Sequence, residues 1–457
     1  MFRALRNFIM GPPKNVVVIV GTTGVGKSQV SKRFNGEIIN ADSMQMYRGA
    51  PIITNKHPIE EREGIPHHVM NHIEWDEEYF IHRFEKEALS TIEDIHQRGK
   101  LPIIVGGTHY YLNSLLFLNK TIKSDKPKEE SPNLLTEEQK AILDGPSDQV
   151  FEILKQNDPI AAGKFHPNDT RRIRRALEIF YSTNKKASEH YQEQQVSEKD
   201  DSTLRFNTLA FWLFAEKPIL DKRLDDRVDK MLEQGGLNEI NELYSYYSKS
   251  DPKPDCERGI WQVIGFKEFL PWLENGNDSE KELKKSIEDM KTRTRQYAKK
   301  QVKWIKNLLA VDLAKEENHN YCKGGRLFLL DATDLSIWGE NVTERGVEVT
   351  KKFLEAKEGT INQAPENLKE LLPSINEPKE EKSLQWKHFT CDKCFNKDNT
   401  PVTAVGEKQW KIHLNSHRHK VNVGKGKRKR DYEEWLAKNQ NQNQNAKVEE
   451  QSDELKS

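Results

Sequence analysis

Two short stretches carry residue types that handle phosphate and protons. Gly21-Thr-Thr-Gly-Val-Gly-Lys-Ser28 fits G-x-x-x-x-G-K-[ST]. Glycines at this spacing let the backbone turn tightly and aim its N–H groups at an anion. Lys27 can reach terminal phosphate oxygens, and the Ser28 hydroxyl suits a Mg²⁺ ion. Gly21, Thr22, Thr23, Gly24, Val25, Gly26, Lys27 and Ser28 therefore read as a cradle for a di- or triphosphate. Further along, Ala41-Asp-Ser-Met-Gln-Met-Tyr47 offers a carboxylate, a hydroxyl and an amide. Asp42 can accept a proton from an attacking nucleophile, or simply cap a following helix. Gln45 has the paired donor and acceptor that match an adenine edge.

Both stretches follow apolar runs. Val16-Val-Val-Ile-Val20 and Glu37-Ile-Ile-Asn40 predict strands, and Leu101-Pro-Ile-Ile-Val105 predicts a third. In open parallel sheets ligands bind at the carboxyl ends of the strands, which brings Asp42, Ser43 and Gln45 to the phosphate loop. The third run ends in Gly106-Gly-Thr-His-Tyr-Tyr111, where a nucleotide-hydrolysing P-loop protein carries its Walker-B acid. With Asp42 as the acid instead, the pattern points to transfer onto a second substrate.

The expected fold is α/β: a P-loop parallel sheet with helices on both faces, a helical insertion and a small C-terminal zinc finger. Residues 15–119 and 205–350 form the two parts of the catalytic core, with 120–204 inserted between them. Thr208-Leu-Ala-Phe-Trp-Leu-Phe214 returns the chain to the sheet, and Leu327–Leu330 adds a last strand. Helices are predicted over about 77–98, 220–233 and 281–305. Ser188 to Asp201 reads as a charged, mobile stretch, and 351–384 as a polar linker.

Charge is distributed unevenly. The 457 residues balance 72 Lys+Arg against 72 Asp+Glu, so global charge names no partner. Locally, Arg171, Arg172, Arg174 and Arg175 ring the start of a helix capped by Asp169. Cations there oppose the helix dipole, which suggests an external anion such as a nucleic-acid backbone; a salt-bridged surface is the alternative. Arg293 and Arg295 lie on a helix with no acid after Asp289, a one-sided charge suited to phosphates. Arg227 either faces the phosphate pocket or forms a surface ion pair.

Four cysteines make no disulfide framework. Cys391 and Cys394 instead form C-x₂-C, followed by His413 and His419 as H-x₅-H, a set that suits Zn²⁺. His417 competes for the last position. Lys425-Gly-Lys-Arg-Lys-Arg430 can bind RNA or direct nuclear import, and in the 425–457 tail the Asn/Gln repeat after Lys438 is low-complexity and reads as disordered. Residues 1–14 hold Arg3 and Arg6 without an acid, like a mitochondrial targeting segment, with Met10 as a second start. No apolar run approaches the roughly 20 residues that span a membrane.

These blocks together resemble the tRNA dimethylallyltransferase (tRNA isopentenyltransferase) family in its eukaryotic form. The matching stretches are Gly21–Ser28, Asp42–Gln45, Gly64-Ile-Pro-His-His68, Gly106–Tyr111, His166–Glu178, Arg223–Met231, Gln262–Glu268 and Thr294–Ala298. The finger resembles the matrin-type finger of the eukaryotic members. The resemblance implies prenyl transfer from dimethylallyl diphosphate to N6 of adenosine 37 of tRNA. Lys27, Ser28 and Mg²⁺ would hold the diphosphate, with Arg227 beside it. Thr108 would sit at the reacting centre and Asp42 would act as general base. Ser43 and Gln45 would hold the flipped-out adenine, and Met44 between them would also contact tRNA. The insertion would grip the anticodon stem-loop, and the finger further backbone. Only Lys27 to Phe34 separates the P-loop from Asn35-Gly36, about one helical turn fewer than family members usually have. A monomer is expected, cytoplasmic with mitochondrial and nuclear pools. An adenylate isopentenyltransferase or a small-molecule P-loop kinase would share the P-loop but leave the basic helix and finger unused. A non-catalytic RNA-binding protein would not need Lys27, Ser28, Asp42 and Thr108 intact.

Overall fold

The computed structural model describes residues 14–24, 36–120, 135–373, 387–396 and 400–424. They fall into two compact units. The first takes in the chain up to Thr121 and again from Val196 to Glu377. The second takes in Ile122–Gln195 and the chain from Pro378 onward.

The first unit is built on a six-stranded sheet: β1 (Asn15–Gly21), β2 (Gly36–Asn40), β3 (His67–His68), β4 (Leu101–Gly106), β5 (Asn207–Phe214) and β6 (Gly324–Asp331). The order is β3-β2-β4-β1-β5-β6, and every pairing is parallel. Alternating side chains along each strand serve opposite faces. Val16, Val18, Val20, Ile39, Ile104 and Trp212 pack into one core. Val17, Ile19, Ile38, Ile103, Phe211 and Phe328 pack into the other. A sheet apolar on both faces must be covered twice. The helices Ile81–Gln97 and Phe266–Glu274 cover the first face. Arg345–Leu354 and the Leu220/Leu224 side of Lys217–Glu233 cover the second.

The insertion leaves and returns cleanly. Phe117 and Leu204 form an antiparallel bridge, and the Leu118 N–H donates to the Thr203 carbonyl at 2.8 Å. Two expectations need correction. Residues 188–200 are not a loose stretch, because a helix runs Ala187–Asp200. The segment read as a linker does not begin at 351 either. Arg345–Leu354 is helical, Ala364 and Leu368 are buried in the first core, and the Leu329 N–H donates to the Gln363 carbonyl at 2.7 Å. Two apolar residues in a polar sequence sufficed to fasten it, too weak a pattern to read as periodic.

The second unit packs short helices around Leu154, Ala161, Phe165, Ile173 and Leu177. Buried Asp158 joins them, accepting from Ala161 N at 3.0 Å and from Ser188 N at 2.8 Å. In the same unit β7 (His388–Phe395) and β8 (Pro401–Val405) form a hairpin. His166 Nε2 lies 2.9 Å from the Thr403 carbonyl, so the hairpin rests on the insertion.

Candidate active site

The carboxyl ends of β1, β2 and β4 meet at one cavity of about 540 Å³. At the end of β1 the chain turns through Gly24, whose φ of +77° favours glycine. Thr22 and Thr23 belong to this turn, and Thr23 and Gly24 line the cavity. Val25, Gly26, Lys27 and Ser28, with the helix expected after them, lie outside the described residues. Arg227 on the helix Lys217–Glu233 donates from Nη1 to Thr23 Oγ1 at 2.8 Å. Of its two sequence readings, the structure therefore shows the pocket and not the surface.

At the end of β2, Asp42 is held by a ring of local bonds. Its N–H donates to Asn40 Oδ1 at 3.0 Å, and its Oδ1 accepts from Met44 N at 3.0 Å. Asn40 Nδ2 donates back to the Asp42 carbonyl at 3.1 Å and to the Val69 carbonyl at 3.0 Å. No helix begins here, so Asp42 is no helix cap; its carboxylate shapes a turn and lines the cavity. Thr108, just past β4, ties to the same turn. Its Oγ1 accepts from Ser43 N at 3.0 Å and donates to Ser43 Oγ at 3.3 Å. Met44 and Gln45 also line the cavity, with Gln45 Nε2 donating to the Asn55 carbonyl at 2.9 Å.

Burial shapes the electrostatics of this pocket. It pushes the Arg227 guanidinium down to about 10, opposed by the negative charge of Asp42. A cation so poorly hydrated gains from an anionic ligand. Burial raises the Tyr297 phenol, and Asp42 raises it further. Lys56, also on the lining, is lowered by burial to about 8; its Nζ is engaged by the Tyr47 and Gly49 carbonyls and by Asn71 Oδ1. Arg293 and Lys300 face the same cavity from the helix Glu280–Trp304. Arg295 does not; it pairs with Asp225 and donates to Thr292 Oγ1 at 3.0 Å. The helix is fastened by a parallel stack of Trp304 on His109 at 3.9 Å.

In the second unit, Asp169 caps Thr170–Thr183 as expected. Three of the four arginines at its start have internal acids. Arg172 pairs with Asp169, Arg174 with Asp144 and Glu178, and Arg175 with Glu178. Arg171, Arg172 and Arg175 remain exposed. The salt-bridged surface thus accounts for much of this cluster.

The ligand atoms of Cys391, Cys394, His413 and His419 all lie within 4.8 Å of one another. His413 Nε2 is buried and has no hydrogen-bond partner, whereas His417 is exposed. Six residues on an unbroken helix turn through about 600°, which would put the two histidines on well-separated faces. The chain solves this with a break at Ser416: the helix Glu407–Asn415 ends, and Ser416 Oγ accepts from His419 N at 3.2 Å to start the next turn. Trp410 stacks between Phe389 and His413 at 5.6 and 5.4 Å.

Several lining residues of the first site escaped sequence reasoning, Lys56 and Gln301 among them. Gln301 is 1% exposed and lines the cavity from within a run of lysines. It lies one helical turn after Tyr297, on the inward stripe that also holds Met290, so helical periodicity could have found it.

Three comparisons bear on this geometry. The sequence pattern of the IPP transferase family matches residues 45–308, more than half of the chain. A tRNA dimethylallyltransferase of Saccharomyces cerevisiae is 52% identical over 412 residues, 89% of this chain and 91% of that protein. One from Homo sapiens is 33% identical over 422 residues, 88% and 84% of the two chains. A solved structure of a eukaryotic dimethylallyltransferase acting on tRNA superposes with a TM-score of 0.78 at 49% identity, covering 92% of this chain and 99% of that one.

Proposed function

The chain belongs to the IPP transferase family, and from that membership and the cavity we infer that it transfers a dimethylallyl group from dimethylallyl diphosphate to N6 of adenosine 37 in tRNA. The observation that carries this is convergence. A proton acceptor, Asp42, and an anion-seeking pair, Arg227 with Thr23, line one cavity at the strand ends.

The chemistry follows from their placement. The adenine amine attacks the carbon bearing the diphosphate; a C–N bond forms and the C–O bond breaks. The amine proton passes to Asp42, and the diphosphate leaves with its charge held by Arg227 and the P-loop. The N6 of a base stacked in the anticodon loop cannot reach the carbon bearing the diphosphate, so adenine must be flipped out. Ser43 and Gln45 line the cavity and would meet its edge, with Thr108 bonded to Ser43. Arg293 and Lys300 supply positive charge for the approaching RNA backbone.

Two metals fit the residues present. The Asp42 carboxylate at the end of β2, with the Ser28 hydroxyl, suits a hard cation such as Mg²⁺, which would offset diphosphate charge. The S₂N₂ donor set with its unpartnered buried His413 Nε2 suits a structural Zn²⁺. The finger and the insertion would add affinity for tRNA backbone more than chemistry. A monomer is proposed, in the cytoplasm with mitochondrial and nuclear pools. Residues 1–13 and 425–430, which bear on localisation, lie outside the described residues; a reporter carrying residues 1–15 that stayed cytosolic would remove the mitochondrial pool.

Purified protein with labelled dimethylallyl diphosphate should label tRNA and leave AMP unlabelled. Label in AMP alone would mark an adenylate isopentenyltransferase. No label in either would remove prenyl transfer.

A further inference from the structure

The helix Glu280–Trp304 delivers a buried amide that neither phosphate binding nor proton transfer claims. Gln301 Oε1 accepts from the Thr23 N–H at 2.9 Å, and its Nε2 donates to the Gly107 carbonyl at 3.3 Å. Thr23 leaves β1 and Gly107 leaves β4, neighbouring strands that pair Val20 with Gly106. Each partner sits beside chemistry. The Thr23 hydroxyl accepts from Arg227 on the leaving-group side. Gly107 immediately precedes Thr108, which holds Ser43 and the Asp42 turn on the acceptor side.

The contact is fitted on both sides. A Cβ at Gly107 would stand 2.2 Å from Gln301 Nε2, so only glycine leaves the amide its place. A planar group with one acceptor and one donor is what the two strand ends demand. Glutamate would set an oxygen against the Gly107 carbonyl, and methionine would fill the space while making neither bond. Fixing a long buried side chain also costs rotamer entropy, which these bonds must offset.

We propose that Gln301 is a positioning residue that sets the separation between the leaving-group cradle at Thr23 and the acceptor side at Asp42 and Thr108, by bridging the Thr23 N–H and the Gly107 carbonyl. This rests on the prenyl-transfer reading above. In a transfer reaction the two substrates arrive from different strands, so their distance is decided where those strands end. A misplacement of about 1 Å there can cost on the order of 100-fold.

The test uses the full chain with tRNA and dimethylallyl diphosphate. Gln301→Met should lower kcat/KM for the diphosphate about 10- to 100-fold while KM for tRNA stays within error and the melting temperature, with the Thr23 N–H and the Gly107 carbonyl left unpaired, falls by no more than a few degrees. Gln301→Glu should be as impaired at pH 8 and recover as pH falls, because the protonated carboxyl can donate to Gly107; the wild type should show no such recovery. Gly107→Ala should cost about 10-fold or more with Gln301 present, and little further once Gln301→Ala has vacated the space. If Gln301→Met melts early, this double-mutant cycle decides. Wild-type kcat/KM in Gln301→Met, or additive effects in the cycle, would overturn the role alone. Wild-type protein that labels no tRNA would overturn the prenyl-transfer reading and the role with it.

Discussion

Gly106 is the position where a single methyl group should do most harm to the chemistry. It ends β4 beside the last residues of β2. A Cβ built there lies 2.3 Å from the Ala41 carbonyl oxygen and 2.4 Å from its carbon. Carbon and oxygen settle comfortably at about 3.4 Å, so the strands must part by about 1 Å. Neither side can rotate away, because both are backbone held in register: Asn40 pairs with Val105, and Ala41 N donates to the Val105 carbonyl at 2.9 Å. Overpacking of this kind typically costs about 1–3 kcal/mol, and backbone against backbone belongs at the upper end. A unit of this size should therefore still fold, with its melting point lowered by several degrees. The larger effect falls on the next residue, Asp42, which moves with Ala41. A shift of about 1 Å in the proton acceptor should lower single-turnover transfer about 100-fold. Gly339→Ala, which adds a methyl to open space, is the control. Single-turnover labelling of tRNA at saturating dimethylallyl diphosphate, beside a thermal melt, measures both quantities. Gly106→Ala protein that turns over within twofold of wild type would refute the argument that this strand contact places Asp42.

Asp42→Asn keeps an acceptor for the Met44 N–H, so the turn should survive while transfer falls about 10²- to 10⁴-fold; unchanged tRNA affinity in a filter-binding assay with lost turnover would confirm the split, and retained turnover would remove Asp42 as the base. Cys391→Ser should abolish one equivalent of bound Zn²⁺ and weaken tRNA binding, leaving the rate at saturating tRNA near wild type; a large fall in that rate would give the finger a direct part in the chemistry. Burial holds the His67 imidazole down at about 4. Between about 6.5 and 4 the unfolded chain binds a proton that the folded chain refuses. His67 thus contributes stability fully above about pH 6.5 and loses it as pH falls towards 4; urea midpoints across that window should fall less steeply in His67→Asn, and parallel curves would rule this out.

Much of this molecule is legible in its residues alone. A β-branched run has one sensible place, inside a doubly covered sheet, so β1, β2, β4 and β5 and the strand ends carrying Gly21, Asp42 and Gly106 follow from local pattern. The Cys391/Cys394/His413/His419 set follows likewise from residue type and spacing. Side-chain partners did not follow, because they depend on what lies across space. Arg227 could be turned towards Thr23 only by the packing of its helix beside β1. Arg174 and Arg295, alike in sequence to any phosphate-binding arginine, are engaged by Asp144 and Asp225 from other helices. Gln301 looked like one more polar residue in a basic helix, and the break at Ser416 that brings two histidines together carried no helix-breaking residue. The sequence by itself determined which strands form and which chemistry waits at their ends, since a run of β-branched residues and the turn that follows it are marked by neighbouring residue types. Tertiary structure alone decided which cation faces the cavity and which amide spaces its two sides, since hydrogen bonds between residues hundreds of positions apart leave no periodic trace.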